Sequence, residues 1–151
     1  MDDSGAPCVF CDIVAGTAPA DIVWADEVAV AFLDRTPLFL GHTLVVPARH
    51  VVQLSDLPAA DTGPYFRRVR MLATVMPDAL GAGGTFVAMN NIVSQSVAHL
   101  HTHVVPRTKG DGLRGFFWPR QKYGEGESID VAERLRVALA ASDPADYLAD
   151  R

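Results

Sequence analysis

The sequence predicts an α+β domain with a central antiparallel sheet and flanking helices. Strand-like apolar runs at residues 22–24, 28–33, 43–47, 85–89 and 100–105 are mostly joined by short links. Short links favour antiparallel neighbours, because a parallel pair needs a crossover of about a dozen residues or more. Helical patterning is confined to residues 9–15, 56–80 and 128–141, giving the order helix, strands, helix, strands, helix. Neither a βαβ alternation nor a G-x-G-x-x-G run is present, so a dinucleotide-binding sheet has no support.

Each element has a local reason. Residues 9–15 form a short helix stopped at Gly16. Ala25, Asp26 and Glu27 split two apolar runs and read as a tight turn between strands. Thr36, Pro37 and Gly41 punctuate the next connection, with His42 serving the turn. Thr43 to Pro47 is a β-branched run that stops at a residue unable to donate to a ladder. In 56–80, Phe66, Val69, Met71, Leu72 and Val75 supply an apolar face, with Pro64 in an early turn and Pro77 marking an end or a kink. Gly81, Gly83 and Gly84 form a loop. Ser128 caps the last helix, with Val131, Leu135, Val137, Ala138 and Leu139 facing inward.

With 151 residues the chain fits one domain, 1–151, whose core motifs occupy 8–107 and whose C-terminal extension is 108–151. No apolar run reaches the roughly 18 residues that span a bilayer. The acidic first residues lack the basic and apolar regions of a signal peptide, which points to the cytoplasm. A net charge of −5 argues against broad nucleic-acid binding, whose affinity comes from cations on phosphates, and leaves room for a small anionic ligand. Cys8 and Cys11 form a C-x-x-C pair that could be a redox couple, half of a zinc site, or two buried small side chains.

The sharpest feature is His99, His101 and His103. On a strand, alternate residues share a face, so three imidazoles line one surface while Leu100 and Val104 turn to the core. Imidazole can attack phosphorus, hold a proton near neutral pH, or bind a metal, and the spacing alone leaves catalysis and metal binding both open.

The stretch Gln95-Ser96-Val97-Ala98-His99-Leu100-His101-Thr102-His103-Val104-Val105-Pro106-Arg107 resembles the histidine-triad family of nucleotide hydrolases and transferases. Two further runs fit it: Leu33-Asp34-Arg35-Thr36-Pro37 followed by Gly41-His42-Thr43-Leu44-Val45-Val46-Pro47-Ala48-Arg49-His50, and Cys8-Val9-Phe10-Cys11. The resemblance implies a sheet that continues across a homodimer, and attack by His101 on an α-phosphorus to give a nucleotidyl-histidine that water hydrolyses. It implies that the His99 carbonyl orients His101, and that His103 and Ser96 contact the phosphate or leaving group. By the same likeness Asp34 binds the ribose, Asn90 lies near the ribose-phosphate, and Gln95 and Val97 join the nucleotide site. Phe10, Ile22 and Phe32 resemble the family's base pocket.

Zinc-containing members suggest His50 and His99 as the partners of Cys8 and Cys11 around a structural zinc ion. One departure lies at 91–94, which is shorter than in many relatives and lacks glycine, with Ser94 where a glycine often stands. His103 argues against the related phosphorylases and transferases, which usually carry Gln there. The implied reaction is hydrolysis of a nucleoside phosphoramidate or a dinucleoside polyphosphate. The alternatives are a purine nucleotide-binding module with little turnover and, more weakly, a zinc-storage or redox protein. The aromatic segment 115–120 shapes the pocket, packs on the sheet or joins a dimer contact.

Overall fold

The structure is a computed structural model that describes residues 7–113 and 121–141, so the aromatic segment 115–120 lies outside the described residues. The chain divides into two compact units, Met1–Asp111 and Gly112–Arg151.

In the first unit, five strands form one antiparallel sheet. They are β1 (Ile22–Ala25), β2 (Ala29–Leu33), β3 (Thr43–Pro47), β4 (Gly84–Ala88) and β5 (Thr102–Arg107), in spatial order β1-β2-β3-β5-β4. The predicted α+β class is the observed one. Alternation divides the sheet cleanly. Ala29, Ala31, Val45 and Val104 face one side, where α2 (Ala59–Leu80) packs; Val30, Phe32, Leu44 and Val46 face the other, where α1 (Val9–Val14) packs through Phe10.

The helix α2 buries Tyr65, Val69, Leu72 and Met76. This face differs from the predicted one: Met71 and Val75 are exposed, because the buried stripe starts at Tyr65 and follows the i, i+4, i+7, i+11 spacing. The helix runs past Pro77 to Leu80 and ends on Gly81 in the left-handed region, φ 65°, which turns the Ala82 N–H back to the Pro77 carbonyl at 2.9 Å. Ahead of α2, a short 3₁₀ turn, Leu54–Asp56, takes up the start predicted at residue 56.

Asp26 fixes the β1–β2 turn. One carboxylate oxygen accepts the Val28 and Ala29 amides at 2.9 Å each, and the other accepts the Trp24 indole and Arg68 at 3.0 Å. Burial works to raise its pKa, but these four donors outweigh it and hold the carboxyl down to about 2.

In the second unit, α3 (Glu127–Ala141) begins one residue before the predicted cap, so Ser128 lies inside its first turn. The Gly124 N–H bonds Glu127 instead. Leu135 and Val137 are exposed rather than inward-facing.

Candidate functional site

The histidine run departs from a simple strand. β5 begins only at Thr102, so His103 is in the ladder while His99 and His101 precede it. The pairing of β3 with β5 covers Thr43 to Val45 only, β3 ends at Pro47, which has no N–H, and the Leu100 amide goes to the Val51 carbonyl at 2.7 Å. The three rings still share the α1 side of the sheet, opposite Leu100 and Val104. They do not line an open surface: His99 is 0% and His101 2% exposed, both packed on the Phe10 ring.

His101 has one ring nitrogen committed. Its Nδ1 lies 2.8 Å from the His99 carbonyl, a bond that requires an N–H on Nδ1 and leaves the Nε2 lone pair bare when the ring is neutral. A nucleophilic imidazole needs that arrangement.

His99 belongs to a second group. Its Nε2 donates to the Pro47 carbonyl at 3.0 Å, and its Nδ1 lies 3.6 Å from Cys8 Sγ and 3.5 Å from Cys11 Sγ. His50 Nδ1 lies 3.2 Å from Cys11 Sγ. The ligand atoms of Cys8, Cys11, His50 and His99 all fall within 4.8 Å of one another, which brings together the four residues the resemblance suggested for a metal. A zinc thiolate and imidazole at the tetrahedral angle stand about 3.6 Å apart, close to the observed separations. Burial, then the Cys8 thiol, pushes Cys11 up to about 11, so a metal ion bound here would have to displace the Cys11 proton. Burial lowers His99 to about 4, with His50 and His101 adding to it and the Pro47 contact opposing, which keeps the ring neutral as a ligand must be.

The other end of the run meets a residue that sequence reasoning gave only a turn role. His42 is 3% exposed, and its Nε2 lies 2.9 Å from His103 Nδ1. Its Nδ1 accepts the Leu38 amide at 3.1 Å. Asp34 Oδ2 is 3.8 Å from His42 Nε2, while Asp34 Oδ1 accepts the Thr36 amide and hydroxyl. Burial, then the His101 and His42 rings, lowers His103 to about 4 against the pull of Asp34. His42 is delivered by Gly41, at φ 99°, where a Cβ would collide with the Leu80 side chain.

A cleft of about 640 Å³ is walled by Phe10, whose ring packs on His101, and by Asp34, but none of the triad imidazoles is among its lining residues. Of the residues predicted to meet a nucleotide, Phe10, Phe32, Asp34, Ser96 and Val97 line it. Ile22 does not; it stands half-exposed on the edge strand β1, and Ile13 and Leu44 supply apolar wall instead. Ile13 follows Phe10 by three residues on α1, a spacing that could have flagged it.

Gln95 is held inside its own loop, accepting the Ile92 amide and donating to the Val52 carbonyl. Asn91 accepts the Leu54 amide at 2.8 Å, and Asn90 donates to the Ser94 carbonyl at 3.2 Å. Ser94 sits at φ 61° and Ile92 at φ 67°, both in the region glycine enters freely. A left-handed β-branched residue costs about 1–2 kcal/mol, and the Asn91 and Gln95 bonds are what hold this glycine-free loop in place. Arg107, at the end of the histidine stretch, is engaged by both oxygens of Asp111.

A HIT domain family model matches residues 15–110. An uncharacterised HIT-like protein of Methanocaldococcus jannaschii is 36% identical over 131 residues, covering 85% of this chain and 96% of that protein. The adenosine 5'-monophosphoramidase of Schizosaccharomyces pombe is 34% identical over 133 residues, covering 85% and 95%. Among solved structures, a HIT family protein from Bacillus subtilis superposes with TM-score 0.79 at 29% identity, covering 87% of this chain and 96% of that one. A zinc-bound histidine triad protein from Mycobacterium smegmatis superposes with TM-score 0.67 at 38% identity, covering 91% and 96%. The antiparallel sheet, the histidine run on its α1 face and these likenesses agree: the chain belongs to the HIT domain family.

Proposed function

We propose that the chain is a nucleotidyl hydrolase that cleaves a purine nucleoside phosphoramidate or a dinucleoside polyphosphate at the α-phosphorus. The observation that carries this reading is the His99 carbonyl 2.8 Å from His101 Nδ1, which leaves Nε2 as the bare lone pair of a buried neutral ring. Nε2 attacks phosphorus and forms an N–P bond. The bond from phosphorus to the leaving amine or phosphate breaks, its electron pair departs with the leaving group, and an amine takes up a proton from solvent. Water then attacks phosphorus and gives up one proton to solvent, the N–P bond breaks with its electron pair returning to Nε2, and the nucleoside monophosphate leaves with His101 neutral again.

In this reading Phe10, Phe32 and Val97 flank the base, with Ile22 at the outer rim and Asp34 on the ribose. Ser96, Asn90 and His103 meet the phosphate, and Gln95 holds their loop. Zinc held by Cys8, Cys11, His50 and His99 would supply a structural cross-link between the α1 segment and the chain beside the nucleophile, apart from the chemistry. The named activity of the fission-yeast relative supports the phosphoramidate arm. A cytoplasmic homodimer joined through an edge strand, β1 or β4, completes the proposal.

The test is a panel of adenosine 5'-phosphoramidates and diadenosine polyphosphates, with trapping of nucleotidylated protein and mapping of the modified residue. Turnover with the label on His101, and a loss of about 10⁴-fold in kcat for His101→Ala, are expected. Full activity in that variant overturns the mechanism. Tight nucleotide binding without turnover across the panel would favour a binding module instead.

A further inference from the structure

Asp34, His42 and His103 also bring their ligand atoms within 4.8 Å of one another, the second such group among the described residues. Two histidines and a carboxylate can hold a divalent metal. We propose that His42 and His103 are instead two links of a hydrogen-bond chain of fixed direction, started by the Leu38 backbone amide, which makes His103 present its Nε2 as an N–H donor, with Asp34 standing beside the chain. The inference rests on the hydrolase reading only where it assigns that donor to a phosphoryl oxygen.

The direction follows from counting protons. Burial lowers the pKa of both rings, so at neutral pH each carries one N–H. A backbone amide can only donate, so the Leu38 N–H at 3.1 Å requires a bare Nδ1 on His42. His42 therefore carries its proton on Nε2. That N–H has His103 Nδ1 at 2.9 Å and Asp34 at 3.8 Å, beyond hydrogen-bond range, so it donates to His103. His103 Nδ1 must then be bare, and its proton sits on Nε2. The reverse direction would put an N–H on His42 Nδ1 and set two donors face to face.

The same bonds disfavour a metal. As a ligand through Nε2, His42 would need its proton on Nδ1, against the Leu38 amide. Two imidazole nitrogens on one tetrahedral zinc ion stand about 3.3 Å apart, and the observed 2.9 Å is the length of a hydrogen bond. Leu38 and His42 are thus positioning residues that act through His103. Held this way, a neutral His103 stabilises negative charge on phosphate as a donor, with no proton transferred.

Long-range ¹H–¹⁵N spectra of the zinc-loaded protein read the tautomers directly. Both His42 and His103 are expected with Nε2 protonated and Nδ1 bare; an Nδ1–H on either ring overturns the proposal. Zinc titration is expected to saturate at one equivalent per chain, and a second equivalent lost in His42→Ala overturns it too. Leu38→Pro deletes the amide proton at an exposed side chain, and should turn the single tautomer pattern into a mixture; an unchanged pattern counts against the amide.

In turnover, His42→Ala should lower kcat about 10- to 100-fold with little change in KM. His42→Gln, which can still reach His103 with an N–H, should recover most of it; equal losses in the two variants would overturn the assigned role. If wild-type protein turns over no nucleotide, the hydrolase reading fails while the tautomer and zinc measurements still decide the chain's direction.

Discussion

The two ends of the histidine run look alike in composition and differ in what stands behind the rings. At one end His99 faces two thiols and His50; at the other His103 faces His42 and Asp34. Behind His99 is the Pro47 carbonyl, an acceptor, which fixes the proton on Nε2 and turns a bare Nδ1 toward the sulfurs. Behind His42 is the Leu38 amide, a donor, which fixes the proton on the nitrogen facing His103. One backbone group therefore makes the first cluster a set of lone pairs suited to a cation, and the other makes the second a chain of donors suited to an anion. Geometry of ligating atoms alone would class them together; the hydrogen-bond partner of the remote nitrogen separates them.

Metal removal should break this contrast from the His99 side, with the largest effect. Zinc present at a thousandfold its Kd adds about 4 kcal/mol to stability. Chelation, or Cys8→Ser, is expected to remove most of that, lower the thermal midpoint and release one zinc ion per chain. The tautomer of His103 should not change. Equal midpoints with and without chelator, together with no zinc by elemental analysis, would remove the metal from the account.

The His103 end should be broken by acid. His103 is lowered to about 4 when folded and titrates near 6.5 when unfolded, first through burial, then through the His101 and His42 rings, with Asp34 opposing. Between those values the unfolded chain binds more protons, so stability rises with pH. The contribution is complete above about pH 6.5 and is lost as pH falls toward 4, with a ceiling of about 3 kcal/mol. Urea unfolding at a series of pH values should show His103→Asn losing less over that window than the wild type. Parallel curves for the two proteins would show that His103 does not carry the shift.

Much of this was legible in the sequence, for reasons that differ by residue. The apolar runs at 28–33 and 43–47 announced two strands, and because both are covered by apolar layers on their two sides they carry no alternation from which their faces could be assigned. Period-two alternation put the three triad rings on one face but could not show where the ladder ends, and so missed the burial of His99 and His101. Cys8, Cys11, His50 and His99 could be grouped only through likeness to relatives, since three separate segments supply them. His42 was hidden for another reason. A histidine after a turn glycine has no period to betray it, and the Leu38 amide that directs it is backbone, identical in every residue except proline.

The smallest expected effect concerns the joint between the two ends. Thr102 stands between His101 and His103 and faces the α2 side. The Tyr65 hydroxyl, wholly buried, lies 2.8 Å from the Val45 carbonyl and 2.7 Å from Thr102 Oγ1. Its single proton goes to the carbonyl, which can only accept, so Thr102 donates to Tyr65 and both hydroxyls are satisfied. Tyr65→Phe would leave the Val45 carbonyl and the Thr102 hydroxyl without this partner in the core, at a cost of about 2 kcal/mol. Adding Thr102→Val removes the stranded hydroxyl and should recover part of the loss, so the double variant is expected to be more stable than Tyr65→Phe alone. Zinc stoichiometry should be unchanged in all three, because the quartet is held from the other face. If Thr102→Val instead worsens Tyr65→Phe by its full separate cost, the two hydroxyls are not coupled, and β5 is fixed by its ladder alone.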